Sequence, residues 1–166
     1  MATTWRDEII TTLDTGNAFE SWRDIVRDFP EDRINERPPN VPYTFWHLLE
    51  HIRFCQWEIL EKLVTGAHVE ATWPDDFWPP RDKEVDVAQW EETLRQLATD
   101  LESLKDVVRD DSRDLLAPAI PGASYTALAS IMSVAEHNAY HFGELAILRQ
   151  VAGTWGSEHA KPDSAS

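Results

Sequence analysis

The 166-residue chain carries 15 basic and 30 acidic side chains, a net charge of −15, which excludes recognition of nucleic acid or an anionic membrane through a basic patch. Its 42% hydrophobic content and eight tryptophans are enough for one folded domain and exclude a disordered chain. A single cysteine, Cys55, rules out an intrachain disulfide; with no leader pattern after Met1 and no apolar run of membrane-spanning length, the expectation is a cytoplasmic protein with Cys55 as a small core residue.

Trp5, Ile9, Leu13, Gly16, Phe19, Trp22 and Val26 recur at three or four residues and predict a first helix over about 4–26. Pro30 stops it, and a proline-containing loop through Pro38, Pro39 and Pro42 follows. Thr44 is placed to cap a second helix over about 45–64, with Phe45, Leu48, Leu49, Ile52, Cys55, Ile59 and Leu63 on its apolar face and Gly66 as its stop. The loop over 67–85 holds Trp73, Phe77 and Trp78 among three prolines, too apolar for a plain linker and long enough to be packed over something. Asp86 caps the third helix, with Gln89 three residues on. Val87, Trp90, Leu94, Leu97, Leu101, Leu104 and Val108 then alternate at three and four residues, a pure core stripe that ends at Asp110. A fourth helix spans about 124–151, with Gly153 as its stop. The segment 156–166 is small and polar and reads as a disordered tail after a single domain over 1–155. With no strand pattern and no repeat, the fold class is all-α, a four-helix bundle with two long connecting loops.

The chemistry concentrates in the fourth helix. His137 and His141 are four apart, so their imidazoles lie one above the other on one face. Ile131, Val134, Leu145 and Leu148 put that face toward the interior. Neutral imidazole is a good ligand for Zn, Ni, Cu or Fe; the plain alternative is a packed, hydrogen-bonded pair. Asn138 stands where a zinc protease of the His-Glu-x-x-His type carries its glutamate, so that motif fails.

The second helix offers His51, bordering the apolar stripe, and His47 nearer the rim. His51 lies ~10 Å from the start of its helix and His141 ~15 Å from the end of its own, so an antiparallel pair brings them to similar depth. Three nitrogens leave a fourth position for water or substrate, the pattern of a catalytic rather than a structural site. A di-iron centre would need two Glu-x-x-His motifs, which are absent. Glu50, Asn138, Tyr140 and Glu144 are candidates for groups lining the cleft or supporting the ligands, and Arg53 and Arg149 are read mainly as surface charge.

Three blocks together carry a family resemblance: Pro42 to His51 (PYTFWHLLEH), the loop Trp73 to Pro79 (WPDDFWP), and Ala135 to Leu145 (AEHNAYHFGEL). Their order and spacing resemble the DinB-like superfamily over about residues 4–155. The resemblance implies an up-down-down-up four-helix bundle, often a homodimer. It implies one divalent ion, commonly zinc or nickel and otherwise iron, manganese or cobalt, on His51, His137 and His141; His47 sits where many members differ and is not counted as a ligand. Relatives with known reactions include bacillithiol and mycothiol S-transferases and a thiol-dependent maleylpyruvate isomerase, so the implied substrate is a small molecule, with a low-molecular-weight thiol foremost. The family name does not imply DNA binding.

Two kinds of function stay open on these residues. One is a metal-dependent enzyme, a transferase activating a thiol or a hydrolase activating water, with no residue identified as general base. The other is a non-catalytic module, either a metal-binding or stress-related bundle or an interaction protein whose histidines are only core.

Overall fold

The structure, a computed structural model, describes residues 3–14 and 20–155. Among them the chain forms five α-helices: α1 (Trp5–Asp14), α2 (Trp22–Val26), α3 (Phe45–Thr65), α4 (Val87–Arg109) and α5 (Ala127–Ala152), with a 3₁₀ turn at Glu31–Arg33. The expected continuous first helix is therefore corrected to two pieces. Ser21 is extended (φ −61°, ψ 146°), and its hydroxyl accepts the Asp24 N–H, so it starts a new helix instead of continuing one. Gly16 and Phe19, read as part of the first helix face, and the 156–166 tail with His159 lie outside the described residues.

The other three helices begin and end on the local signals that the sequence carries. The Thr44 and Asp86 side chains accept the His47 and Gln89 N–H groups at the starts of α3 and α4. Gly66 and Gly153 close α3 and α5 in the left-handed conformation, at φ 70° and 67°, where a Cβ would be strained. Only the start of α5 moves, from 124 to Ala127. Tyr125 accepts the Ala119 N–H and Thr126 pairs with Pro118. That short extended contact holds both residues out of the helix, and Thr126 becomes the cap.

Contacts along the helices give their directions. Trp46 donates to Thr93, Gln56 to the Leu97 carbonyl, and Arg113 to the Leu63 carbonyl, so α3 and α4 run parallel from their first turns to their last. Tyr43 meets Glu144, and His51 meets His137, so α3 and α5 run antiparallel. Arg6 reaches the Val108 carbonyl while Lys105 pairs with Asp14, which sets α1 against α4 in the opposite sense. Trp22 stacks on Phe142 and Arg149 donates to Ile25 O, aligning α2 with α5. The result is an up-down-down-up all-α bundle with the first limb split.

The stripe on α4 is core as expected: Trp90, Leu97, Leu101, Leu104 and Val108 are buried against Leu48, Leu49 and Ile52 of α3. Ile131, Val134 and Leu145 of α5 close the same core. Because α3 and α4 run parallel, the chain must travel back the length of a helix, about 30 Å, between them. The segment 66–86 makes that return, and its aromatic middle lies over α3 and α5.

Candidate metal centre

His51, in the second turn of α3, is 1% exposed. Its Nδ1 lies 2.8 Å from the Phe77 carbonyl. A carbonyl only accepts, so Nδ1 carries the proton and Nε2 presents a lone pair. That Nε2 is 3.2 Å from Nε2 of His137 across the α3–α5 seam. His141, one turn further along α5, places its ring centroid 4.9 Å from that of His51 and 4.5 Å from that of His137. Its Nδ1 is 2.9 Å from Glu144 Oε2. The carboxylate also accepts from the Tyr43 hydroxyl, so His141 is likewise oriented from behind. Burial and the neighbouring Glu144 carboxylate push the Tyr43 phenol up, which keeps it a donor.

Burial, more than any other cause, presses His51 and His137 down to about 4; a backbone acceptor at Phe77 partly opposes this for His51. Both rings are therefore neutral at pH 7, the state in which imidazole binds metal. His137 Nδ1 is buried without a hydrogen-bond partner.

One group of ligating atoms among the described residues lies within 4.8 Å of one another, and its third member is Cys55, with His51 and His137. Cys55 Sγ is 3.6 Å from His51 Nδ1 and 3.8 Å from Nε2. The atoms of His141 fall outside that group, although its ring belongs to the cluster. Cys55 was expected to be a plain core residue. It is buried, but its side chain reaches the imidazoles. The signal was in the spacing, because His51 and Cys55 are four apart like His137 and His141. Burial, and secondarily Glu58, push the Cys55 thiol up to about 12, so it is neutral unless a cation draws off its proton.

The donor set fits a small transition-metal ion. With metal–nitrogen bonds of about 2.0–2.1 Å and metal–sulfur of about 2.3 Å, tetrahedral ligands sit about 3.3 Å (N···N) and about 3.6 Å (N···S) apart. The 3.2 Å edge between the His51 and His137 Nε2 atoms matches the first; Cys55 Sγ, 3.6 Å from Nδ1 and 3.8 Å from Nε2 of His51, stands beside that ring, within one side-chain rotation of the second.

The aromatic crossover roofs this cluster. Trp78 stacks flat on His51, with centroids 3.9 Å apart at 6°, and also on Tyr43 at 4.9 Å. His47 anchors the far end of the loop: its Nε2 is 2.9 Å from the Pro80 carbonyl. Its Nδ1 lies against the Thr44 cap. His47 therefore clamps the loop and caps α3, and its pKa is lowered mainly by burial.

The remaining candidates divide. Glu144 supports His141 directly. Asn138 donates to Gln56 at 2.9 Å, and Gln56 in turn donates to Leu97 O, tying three helices together beside the cluster. Glu50 faces α4, accepting from Thr93 and pairing with Arg53. Tyr140 points outward and is 72% exposed. Arg149 is not surface charge: it is buried and donates to the carbonyls of Ile25, Arg27 and Thr154. Next to Cys55 and His137 lies a cavity of about 190 Å³ walled by Ile59, Val134, Trp73 and Phe77, with Glu58 among its polar edges.

An antiparallel helix pair with imidazoles converging from both sides is an arrangement that can hold a metal ion in a helical bundle. A family model for the DinB superfamily matches residues 17–145, and the chain belongs to that superfamily. No curated protein and no solved structure gives a match. Membership and the His51–Cys55–His137 cluster are both compatible with metal binding.

Proposed function

We propose that the protein is a metal-dependent enzyme in which His51, His137 and His141 hold one divalent ion and a small molecule binds at the open position facing the cavity. The observation that supports this reading is the convergence of three imidazole rings across the α3–α5 seam, with centroids 5.0, 4.9 and 4.5 Å apart. His51 is oriented from behind by Phe77 O and His141 by Glu144. A zinc-like or nickel-like ion at such a site lowers the pKa of a thiol or a water and so makes a nucleophile near neutral pH. The protein supplies ligand orientation, a cover of Trp78 stacked on His51, and an apolar wall for the substrate.

The cavity walls favour a substrate whose reacting end is uncharged. The inner cavity is lined by no cationic side chain, and Arg53 and Arg149 are both committed elsewhere. A neighbouring groove of about 290 Å³ shares Glu58, Ile59 and Ser133 with it and adds Lys62, Tyr125 and Ser130. A low-molecular-weight thiol would place its sulfur at the ion and its polar tail in that groove. A water-activating hydrolase uses the same ion and cavity, and turnover of thiol–electrophile pairs against hydrolysable substrates separates the two. A non-catalytic metal-binding module would show the ion and no turnover.

Metal content decides the reading. Wild-type protein should retain close to one equivalent of divalent metal after purification, and His137→Ala should lose it. Wild type and variant both metal-free, even after incubation with zinc, would remove the proposal.

A further inference from the structure

We propose that Cys55 is a fourth ligand of this ion, bound as a thiolate whenever no substrate occupies the cavity. The inference rests on the metal reading above and goes beyond its three histidines. His51 and Cys55 are four apart on α3, and His137 and His141 are four apart on α5. The two helices run antiparallel with His51 opposite His137, so Cys55 and His141 lie one turn to either side of that central pair. Cys55 Sγ stands beside the His51 ring, 3.6 Å from Nδ1 and 3.8 Å from the lone-pair Nε2, so ligation needs its side chain to turn toward Nε2. Its ligating atom lies within 4.8 Å of those of both His51 and His137. The sulfur also lines the cavity that a substrate would enter, together with His137, on the side of the central pair away from His141.

Ligation breaks the Cys55 S–H bond, forms a sulfur–metal bond and releases one proton to solvent. A substrate thiol that displaces it hands its own proton to Cys55, so the exchange is balanced without another acid or base. Three imidazoles and one thiolate select borderline, sulfur-tolerant ions such as zinc, cobalt and nickel over magnesium or manganese.

Cobalt(II) reports the two parts of the site separately. Full-length protein is stripped with a chelator and titrated with cobalt alone in thiol-free buffer, as wild type and as Cys55→Ser, with circular dichroism to confirm that both are folded. Wild type should show visible ligand-field bands together with a near-ultraviolet sulfur-to-cobalt charge-transfer band. Cys55→Ser should keep ligand-field bands from the histidines and lose the charge-transfer band completely. Ligand-field bands without charge transfer in wild type overturn the ligand role of Cys55 and leave the histidine site standing. The same holds if the charge-transfer band survives in Cys55→Ser. No cobalt spectrum from either protein overturns the metal reading itself and this inference with it. Should Cys55→Ser be misfolded, alkylation of the wild-type thiol provides the second test: bound cobalt should block it, and equal alkylation with and without cobalt overturns the proposal.

Discussion

At the scale of single residues, burial decides what the histidines do. His51 and His137 titrate at about 4 in the fold and at about 6.5 in an unfolded chain. As pH falls, the unfolded state takes up protons first. Their contribution to stability is therefore complete above about pH 6.5 and is lost between about 6.5 and 4, by up to about 1.4 kcal/mol per pH unit for each ring. Urea midpoints of metal-stripped protein should drop between about pH 7 and about pH 5, and the drop should shrink in His137→Ala. Equal midpoints at both pH values would contradict the burial described here. Glu144 acts through His141, so Glu144→Gln should cost about 10–100-fold in metal affinity, measured by competition with a chromophoric chelator. Tyr140→Ala removes an exposed ring that meets His141 only edge-on, so it should cost far less affinity than Glu144→Gln. The imidazoles were legible in the sequence less through their helical spacing, which is common, than through the three blocks of the family resemblance that contain them. The role of Cys55 was not, since a thiol fits a core stripe equally well. Nor were the carbonyls of Phe77 and Pro80, because every residue has one and only the fold selects which is used.

At the scale of elements, local signals worked where the neighbouring chain did not compete. The three–four alternation on α4 and the caps Thr44, Asp86, Gly66 and Gly153 locate their helix ends closely. The split of the first limb was also encoded, in Ser21 and Asp24 three residues apart, a capping pair that the apolar periodicity across it masks. The late start of α5 comes from pairing with Pro118, eight residues upstream, which no helical window contains. Leu101, buried between α4 and its neighbours, should cost about 2–5 kcal/mol on truncation to Ala. A loss well under 1 kcal/mol in denaturant unfolding would mean that the layer is not packed as described. Trp78→Ala should act differently. It removes the ring stacked on His51 and Tyr43, so a chelator should strip metal markedly faster than from wild type. Unchanged stripping rates would mean that the crossover does not shield the site.

At the scale of the whole molecule, two properties dominate: the charge of −15 and the connectivity. Like charges repel one another across a small surface and salt screens them, so the thermal midpoint should rise as salt is added at neutral pH; a falling midpoint would show that screened ion pairs outweigh the repulsion. The connectivity has a separate outcome. Two parallel neighbours, α3 and α4, oblige the chain to spend some twenty residues on a return journey (66–86), and that journey passes over the donor cluster. The imidazoles proposed to anchor an ion and most of the cover over them thus lie on separate stretches of chain. Anchors belong to helices locked into the core, while much of the enclosure belongs to a strap that contributes little to that core. Altering the strap at the Trp73 side chain, away from the Phe77 carbonyl and the Trp78 ring that hold His51, would reshape what is admitted with little effect on the imidazoles, so a single scaffold of this connectivity is a workable starting point for many substrate preferences.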